Sequence, residues 1–231
     1  MSQPAQNQPA TGSDEERPEA VRQRPYVRVK ICGITRVADA VAAERAGADA
    51  VGFVFAVGSK RQVSPEQAAA LSAALGPFVA RVGVFVNATA AEVEHAVAVA
   101  NLTAVQLHGA EEPAFAARFQ GRVRVIRAVS FGPGITPDEL ADYPADAFLL
   151  DASVPGSGRT FAWDAAAMWR RHPRMLLAGG LNPDNVGAAV RALVPYGVDV
   201  SSGVEAAPGI KSAELIQRFV AAARRGAQAG S

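Results

Sequence analysis

The segment "VRVKICGIT", from Val27 to Thr35, has the pattern of a buried strand that ends at a cysteine and a glycine. Val27, Val29 and Ile31 alternate with residues of a different character, which is the period of a β-strand. If these three residues face covering helices, Cys32 lies on the opposite face, at the end of the strand. A single free thiol is more often a packing residue than a reactive one. The role of Cys32 therefore depends on whether other strands place polar residues on the same face.

Seven further segments are short, apolar and rich in β-branched residues. They are AVGFVF (50–55), RVGVFV (81–86), AVQLH (104–108), RVIRAV (124–129), AFLLDA (147–152), MLLAG (175–179) and GVDVSS (197–202). Amphipathic helical patterns lie between strands and at the end, in residues 36–47, 64–76, 89–101, 182–194 and 212–225. Eight such strands with crossover helices predict one parallel (β/α)₈ barrel. The alternative, an open doubly wound sheet, lacks a G-x-G-x-x-G after the first strand.

Local signals predict the ends of several helices. Ser64-Pro65 and Asn182-Pro183 have the pattern of an N-cap followed by proline at the first helical position, and Gly47 and Gly76 are typical of helix C-termini. The helical signal is weakest after the fourth and fifth strands. We expect a disordered polar tail over residues 1–25, a catalytic barrel over 26–225 and a short C-terminal tail over 226–231.

The composition narrows the classes of partner. The 23 basic and 22 acidic residues nearly cancel, so no charge pattern indicates nucleic acid or a membrane surface. One cysteine cannot form an internal disulfide, and His95, His108 and His172 lack zinc-site spacing. The N-terminus has no apolar stretch as long as that of a signal peptide, and no apolar run elsewhere reaches the 18 residues of a membrane span. We expect a cytoplasmic monomer or homodimer that binds a small molecule.

Polar residues at strand ends indicate where chemistry takes place in such a barrel. Gln106 and His108 share one face of the fourth strand, and a polar pair aimed at the barrel mouth needs a polar partner, so we expect both to bind the substrate. Asp151 ends the sixth strand; it is either tied to backbone N–H groups or to Arg159, or is a carboxyl whose pKa is raised, which makes it a proton donor.

Two glycine-containing turns have the pattern of phosphate sites. "LAGGLNPDNV" contains Gly179-Gly180 after the seventh strand, and "DVSSGVE" contains Ser201, Ser202 and Gly203 after the eighth. Backbone N–H groups in such turns bind phosphate, and this fold recurrently uses the turns after strands seven and eight. In the loop after the second strand we assign Lys60 to solvent and Arg61 to a substrate carboxylate.

Together these motifs resemble the phosphoribosylanthranilate isomerase family of tryptophan biosynthesis. The resemblance runs from about Val27 to Val220 through "KICGIT", "GFVF…SKRQVSPE", "VGVFVN", "VQLHG", "LLDAS…GSGRTFAW", "LAGGLNPDNV" and "DVSSGVE". It implies a cofactor-free barrel that catalyses an Amadori rearrangement of N-(5-phosphoribosyl)anthranilate. It also implies Cys32 as general base, Asp151 as general acid, Arg61 as the contact to the anthranilate carboxylate, and phosphate binding at Gly180 and Ser202-Gly203.

One position departs from the family, and two other functions stay open. Gln62 stands where the family usually has an aromatic residue, which changes how this loop packs over the anthranilate ring. The histidine-pathway isomerase performs the same rearrangement, but that family uses two aspartates and has an internal half-barrel repeat that this sequence lacks. A non-catalytic barrel that binds a phosphorylated ligand would need the phosphate turns and Arg61, but neither Cys32 nor Asp151.

We predict that deletion of residues 1–24 changes neither the melting temperature nor kcat/KM, because this segment has too few apolar residues to join a core. Thermal unfolding and steady-state kinetics of the truncated and full-length proteins measure both quantities. A melting temperature lowered by more than a few degrees would show that the segment is docked on the barrel.

Overall fold

The computed structural model describes residues 26–130, 136–151, 168–170 and 172–229. Its strands are β1 (Arg28–Cys32), β2 (Ala50–Val54), β3 (Ala80–Phe85), β4 (Ala104–Leu107), β5 (Arg124–Ser130), β6 (Ala147–Asp151), β7 (Met175–Ala178), β8 (Gly197–Val200), β9 (Glu205–Ala207) and β10 (Ile210–Lys211). Its α-helices are α1 (Val37–Arg45), α2 (Pro65–Ala73), α3 (Ala90–Ala100), α4 (Pro113–Ala117), α5 (Val186–Leu193) and α6 (Ala213–Gln228).

Strands β1 to β8 form a closed parallel barrel in sequence order. The first and last strands close it, with Val29 opposite Val198 and Lys30 opposite Asp199. This pairing confirms the (β/α)₈ barrel and excludes the open sheet. The antiparallel pair β9–β10 lies outside the barrel sheet and leads from β8 into α6.

The strands alternate between two apolar layers, as their period of two requires. Val27, Val29 and Ile31 belong to the large core between the barrel and its helices. A smaller cluster lies on the opposite, inward-facing side and includes Val82, Leu149 and Leu176. The predicted orientation of β1 is therefore confirmed, because Lys30 and Cys32 lie on the inner face.

Most of the predicted helix ends agree with the structure. The Ser64 side chain accepts a hydrogen bond from the Gln67 backbone N–H, and the Gln67 side chain accepts one from Ser64 N–H, so Ser64 is the predicted N-cap. Gly47 follows α1 in the left-handed region, with φ +85°. Gly76, which lies two residues beyond the C-cap of α2, donates its N–H to Glu44.

The predicted start of α5 at Asn182-Pro183 is wrong by about one turn. The helix begins at Val186, with Asn185 as its N-cap. The Asn182 side chain instead accepts hydrogen bonds from the N–H groups of Asp184 and Asn185, at 2.9 and 3.1 Å. These bonds stabilise a separate turn that delays the helix, a competition typical of asparagine.

The remaining boundaries are close to those predicted. The weak segment after β4 contains the five-residue helix α4, and the one after β5 contains a 3₁₀ turn at Asp138–Leu140. Helix α6 runs to Gln228, three residues past the predicted end of the barrel domain at residue 225. The predicted tail over residues 1–25 lies outside the described residues. Among the described residues, no helix has both the length and the apolarity needed to cross a membrane.

Candidate active site

A cavity of about 500 Å³ opens at the C-terminal ends of the barrel strands. Eight of the nine predicted site residues line it: Cys32, Arg61, Gln106, His108, Asp151, Gly179, Gly180 and Ser202. The ninth, Gly203, lies behind the lining. A Cβ atom placed on it would be 1.9 Å from the backbone oxygen of Leu181, so this glycine lets the turn after β8 pack directly against the turn after β7.

Cys32 lies at the end of β1 with only 7% of its surface exposed. Its neighbour on β2 is Gly52, where a Cβ atom would lie 2.8 Å from the Cys32 sulfur, so only glycine leaves room for the thiol in this position. Burial raises the pKa of the Cys32 thiol, while the nearby Lys30 ammonium lowers it and the Asp199 carboxylate raises it further. In sum the thiol pKa is raised, so a buried thiol and not a thiolate is the resting form.

Lys30 lies beneath Cys32 on the same face of β1 and is 4% exposed. Its Nζ donates to Asp199 Oδ1 at 2.9 Å and to Gln106 Oε1 at 3.0 Å. Burial alone would lower the pKa of Lys30, but the Asp199 carboxylate opposes this effect and the pKa is raised. Lys30 is therefore an ammonium group in the barrel interior.

His108 and Asp151 meet across the cavity, with 3.5 Å between His108 Nε2 and Asp151 Oδ2. Both side chains are partly exposed to the cavity, His108 by 30% and Asp151 by 24%. On the other side of the imidazole, Gln106 Nε2 lies 3.1 Å from His108 Nδ1. The predicted polar pair of β4 thus reaches from the barrel interior to the predicted acid.

Arg61 reaches the cavity from the loop after β2 and is held by Glu205. Its Nε and Nη2 atoms each donate to a Glu205 carboxylate oxygen at 2.7 Å. Lys211 Nζ donates to the same carboxylate at 2.8 Å. Burial alone would raise the pKa of Glu205, but the hydrogen bonds from Arg61 and Lys211 lower it to about 2. Glu205 is thus a fixed anion that orients the guanidinium.

The two predicted phosphate turns lie side by side at the cavity. Gly179 and Gly180 both have positive φ, +89° and +65°, which favours glycine at these positions. Within the described residues, the N–H groups of Gly180, Ser202 and Gly203 have no hydrogen-bond acceptor. Such N–H groups at adjacent turns are available to an anion.

The loop after β2 is braced by the residue that departs from the family pattern. The Gln62 side chain accepts a hydrogen bond from Gly58 N–H at 3.3 Å, within the same loop. Gln62 therefore closes the loop on itself by a polar contact. The other predicted polar loop, with Gly156, Gly158 and Arg159, lies outside the described residues.

Sequence reasoning missed three charged residues of the site. Asp199 lies on the inward face of β8, and Glu205 and Lys211 lie on β9 and β10. The alternation of β8 does indicate Asp199, because this residue shares a strand face with Ser201, which belongs to the predicted phosphate turn. No local pattern signals the Arg61–Glu205 pair, whose members are 144 residues apart. Among residues 26–130, 136–151, 168–170 and 172–229, no cluster of three His, Cys, Asp or Glu side chains could hold a metal ion.

Comparison with known proteins identifies the family to which this chain is similar. The family model described as N-(5'-phosphoribosyl)anthranilate isomerase matches residues 29–222. A protein of that name from Pelobacter propionicus is 48% identical over 202 residues, which cover 86% of this chain and 96% of that protein. The crystal structure of phosphoribosyl anthranilate isomerase from Thermotoga maritima is 43% identical in sequence to this chain, with a TM-score of 0.79. The match covers 86% of this chain and 98% of that one.

A further solved structure is a phosphoribosyl anthranilate isomerase in complex with reduced 1-(o-carboxyphenylamino)-1-deoxyribulose 5-phosphate. It is 42% identical to this chain, with a TM-score of 0.76, and the match covers 86% of this chain and 98% of that one.

We predict that two substitutions move the Cys32 pKa in opposite directions. Lys30→Met removes the charge that favours the thiolate and raises the thiol pKa, whereas Asp199→Asn removes a carboxylate and lowers it. In the wild type the thiol titrates above its ordinary value of about 8.5. The ultraviolet absorbance of the thiolate reports this titration cleanly because the chain has one cysteine.

Cys32→Ser supplies the blank for this titration, and circular dichroism checks that each variant folds. Equal thiol pKa values in the two variants, or shifts in the reverse order, would show that the Lys30–Asp199 pair does not control the thiol.

Proposed function

The chain belongs to the N-(5'-phosphoribosyl)anthranilate isomerase family, and we propose that Cys32 and Asp151 carry out its reaction as general base and general acid. It is an isomerase of tryptophan biosynthesis. The proposed reaction converts N-(5-phosphoribosyl)anthranilate into 1-(2-carboxyphenylamino)-1-deoxy-D-ribulose 5-phosphate. The observation that carries the assignment of roles is that Cys32, Asp151 and the glycine turn after β7 line one cavity.

The rearrangement needs an acid and a base at different atoms of the sugar. Asp151 donates its proton to the furanose oxygen, the C1–O bond breaks, and the nitrogen lone pair forms an iminium with C1. Cys32 then removes the proton from C2, and the electrons of that C–H bond form an enaminol. Tautomerisation of the enaminol gives the C2 ketone. Acid and base groups of this kind each contribute about 10² to 10⁴ in rate.

The order of strands around the barrel supports this arrangement. Going from β6 through β7 and β8 to β1, the residues met are Asp151, the Gly179-Gly180 turn, the Ser202 turn and Cys32. A phosphate held between β7 and β8 would therefore lie between the acid and the base. The ribose attached to it would extend over the mouth with one proposed group on each side.

We assign the anthranilate carboxylate to Arg61, which reaches the rim from the loop after β2 on the β1 side of the cavity. Glu205 occupies Nε and Nη2 of its guanidinium, so the remaining nitrogen, Nη1, is the one that faces a ligand in this assignment. A guanidinium already oriented by a carboxylate loses less rotational freedom when it binds a ligand. Gly33 permits this placement, since a Cβ atom there would lie 2.4 Å from Arg61 Cδ.

The proposed partner is this one phosphorylated small molecule, and we place the enzyme in the cytoplasm. We propose that the enzyme is a monomer or a homodimer. The direct test generates N-(5-phosphoribosyl)anthranilate in situ and follows the loss of its fluorescence on adding purified protein. Binding without turnover would show a non-catalytic barrel, and turnover of the histidine-pathway aminoaldose alone would assign the other isomerase.

We predict that Cys32→Ala and Asp151→Ala each lower kcat by about 10²-fold or more, because each removes an acid or base group. Binding of a reduced product analogue stays within a few-fold of wild type, since neither change touches the phosphate turns. Steady-state kinetics and calorimetry with the analogue measure the two effects.

The Asp151→Asn variant adds a pH test of the same assignment. The wild-type profile of kcat/KM is bell-shaped, its acid limb reporting protonation of the base and its alkaline limb ionisation of the acid. The residual activity of Asp151→Asn loses the alkaline limb and keeps the acid limb. An unchanged alkaline limb would assign that ionisation to another group and remove Asp151 from its role.

We predict that Arg61→Ala raises KM far more than it lowers kcat, because the carboxylate contact is equal in ground and transition states. Glu205→Gln is the matched variant: it keeps the guanidinium but weakens its orientation, and raises KM less than Arg61→Ala does. A substrate analogue without the carboxylate should show almost no difference between wild type and Arg61→Ala. An equally large difference on that analogue would show that Arg61 does not bind the carboxylate.

A further inference from the structure

A line of polar side chains crosses the barrel mouth from β1 to β6. It runs from Lys30 through Gln106 and His108 to Asp151, with successive separations of 3.0, 3.1 and 3.5 Å. The proposed acid stands at one end of this line, and Lys30, two residues before the proposed base on β1, stands at the other. The chemistry of the groups fixes the direction of each hydrogen bond along it.

Lys30 determines how the Gln106 amide is turned. An ammonium group has three N–H donors and no acceptor. The Gln106 atom that lies 3.0 Å from Lys30 Nζ must therefore be the amide oxygen, since an NH₂ group there would place donor against donor. Gln106 is 1% exposed, so no bulk water could satisfy the reversed arrangement. The NH₂ group of Gln106 consequently faces His108.

Gln106 in turn determines the tautomer of His108. The amide nitrogen is a donor only, and it lies 3.1 Å from His108 Nδ1. Nδ1 must accept this hydrogen bond, so the hydrogen of the neutral imidazole resides on Nε2. A hydrogen on Nδ1 would instead leave two N–H groups facing each other.

The tautomer of His108 determines whether Nε2 presents a hydrogen or a lone pair to Asp151. His108 Nε2 lies 3.5 Å from Asp151 Oδ2, a separation longer than a formed hydrogen bond but one that a small movement would close. With hydrogen on Nε2, the imidazole is a donor and Oδ2 is the acceptor. The acidic proton of a neutral Asp151 then resides on Oδ1. The other tautomer would present a lone pair that accepts this proton in a hydrogen bond and competes with the furanose oxygen.

We propose that Gln106 is a positioning residue that holds His108 as the Nε2–H tautomer, so that the imidazole donates to Asp151 and leaves its acidic proton available to the substrate. Lys30 acts on Asp151 through this chain by fixing the orientation of the Gln106 amide. The catalytic part of this inference rests on the proposed role of Asp151 as general acid. The tautomer itself does not depend on that role.

The test is nitrogen NMR on the full chain labelled at its three histidines, His95, His108 and His172. Loss of a signal in His108→Asn assigns the His108 ring. In the wild type we expect the pattern of a neutral ring with hydrogen on Nε2. In Gln106→Met, a neutral replacement of similar length, the acceptor state of Nδ1 is no longer enforced, and we expect a mixture of tautomers.

Kinetics supplies the second measurement. Gln106→Met lowers kcat by about tenfold or more and leaves KM within about threefold, because the change acts on the acid and not on binding. His95→Gln is the control, since this histidine is exposed, lies on helix α3 and has Glu66, at 3.9 Å, as its ion-pair partner among the described residues. We expect it to leave kcat, KM and the His108 signals unchanged.

Each outcome decides one part of the proposal. A wild-type ring with hydrogen on Nδ1 would overturn it, as would an Nε2–H ring that persists unchanged in Gln106→Met. A mixture of His108 tautomers in Gln106→Met together with an unchanged kcat would show that the tautomer does not affect catalysis. If Asp151→Ala keeps its turnover, the acid assignment fails while the tautomer result stands, so the two failures are distinguishable. The wild-type spectrum decides the tautomer even if Gln106→Met does not fold.

Discussion

The ammonium group of Lys30 is the constraint on which the site depends. A charge buried in the barrel is tolerated only when each of its donors meets an acceptor. Lys30 obtains two acceptors, from Asp199 on β8 and Gln106 on β4. Satisfying one buried charge therefore fixes side chains from both sides of the barrel, directly beneath the thiol of Cys32.

The fold and the site residues were largely predictable from the sequence because a strand period of two is a local property. Alternation alone placed Cys32, Gln106 and His108 on inward faces, and the barrel brings inward faces at the ends of its strands together. The error at Asn182 has a local cause of a different kind, since its side chain can stabilise either a helix start or a turn, and both leave the same pattern in the sequence.

The ion pairs of the site were not predictable from the sequence, because they depend on which distant segments the fold brings together. Arg61 was predicted from its chemistry to bind a carboxylate, and in the structure its guanidinium binds the carboxylate of Glu205. Only the closure of the barrel and the β9–β10 extension bring these residues together. The same limit applies to Lys30 and Asp199, whose contact exists because β1 pairs with β8.

The raised thiol pKa bears on the order of events in the proposed reaction. Because burial disfavours the thiolate in the free enzyme, a base at Cys32 needs a positive charge in addition to Lys30 when it acts. Ring opening supplies that charge, since protonation of the furanose oxygen leaves a cationic iminium at C1, next to the carbon that loses its proton. The acid at Asp151 then has to act before the base at Cys32.

This order also protects the site, because a thiol that stays protonated until the substrate ring opens is a poor nucleophile toward other electrophiles. The burial that makes Cys32 an unpromising base in the empty cavity thereby makes it selective for the ring-opened substrate.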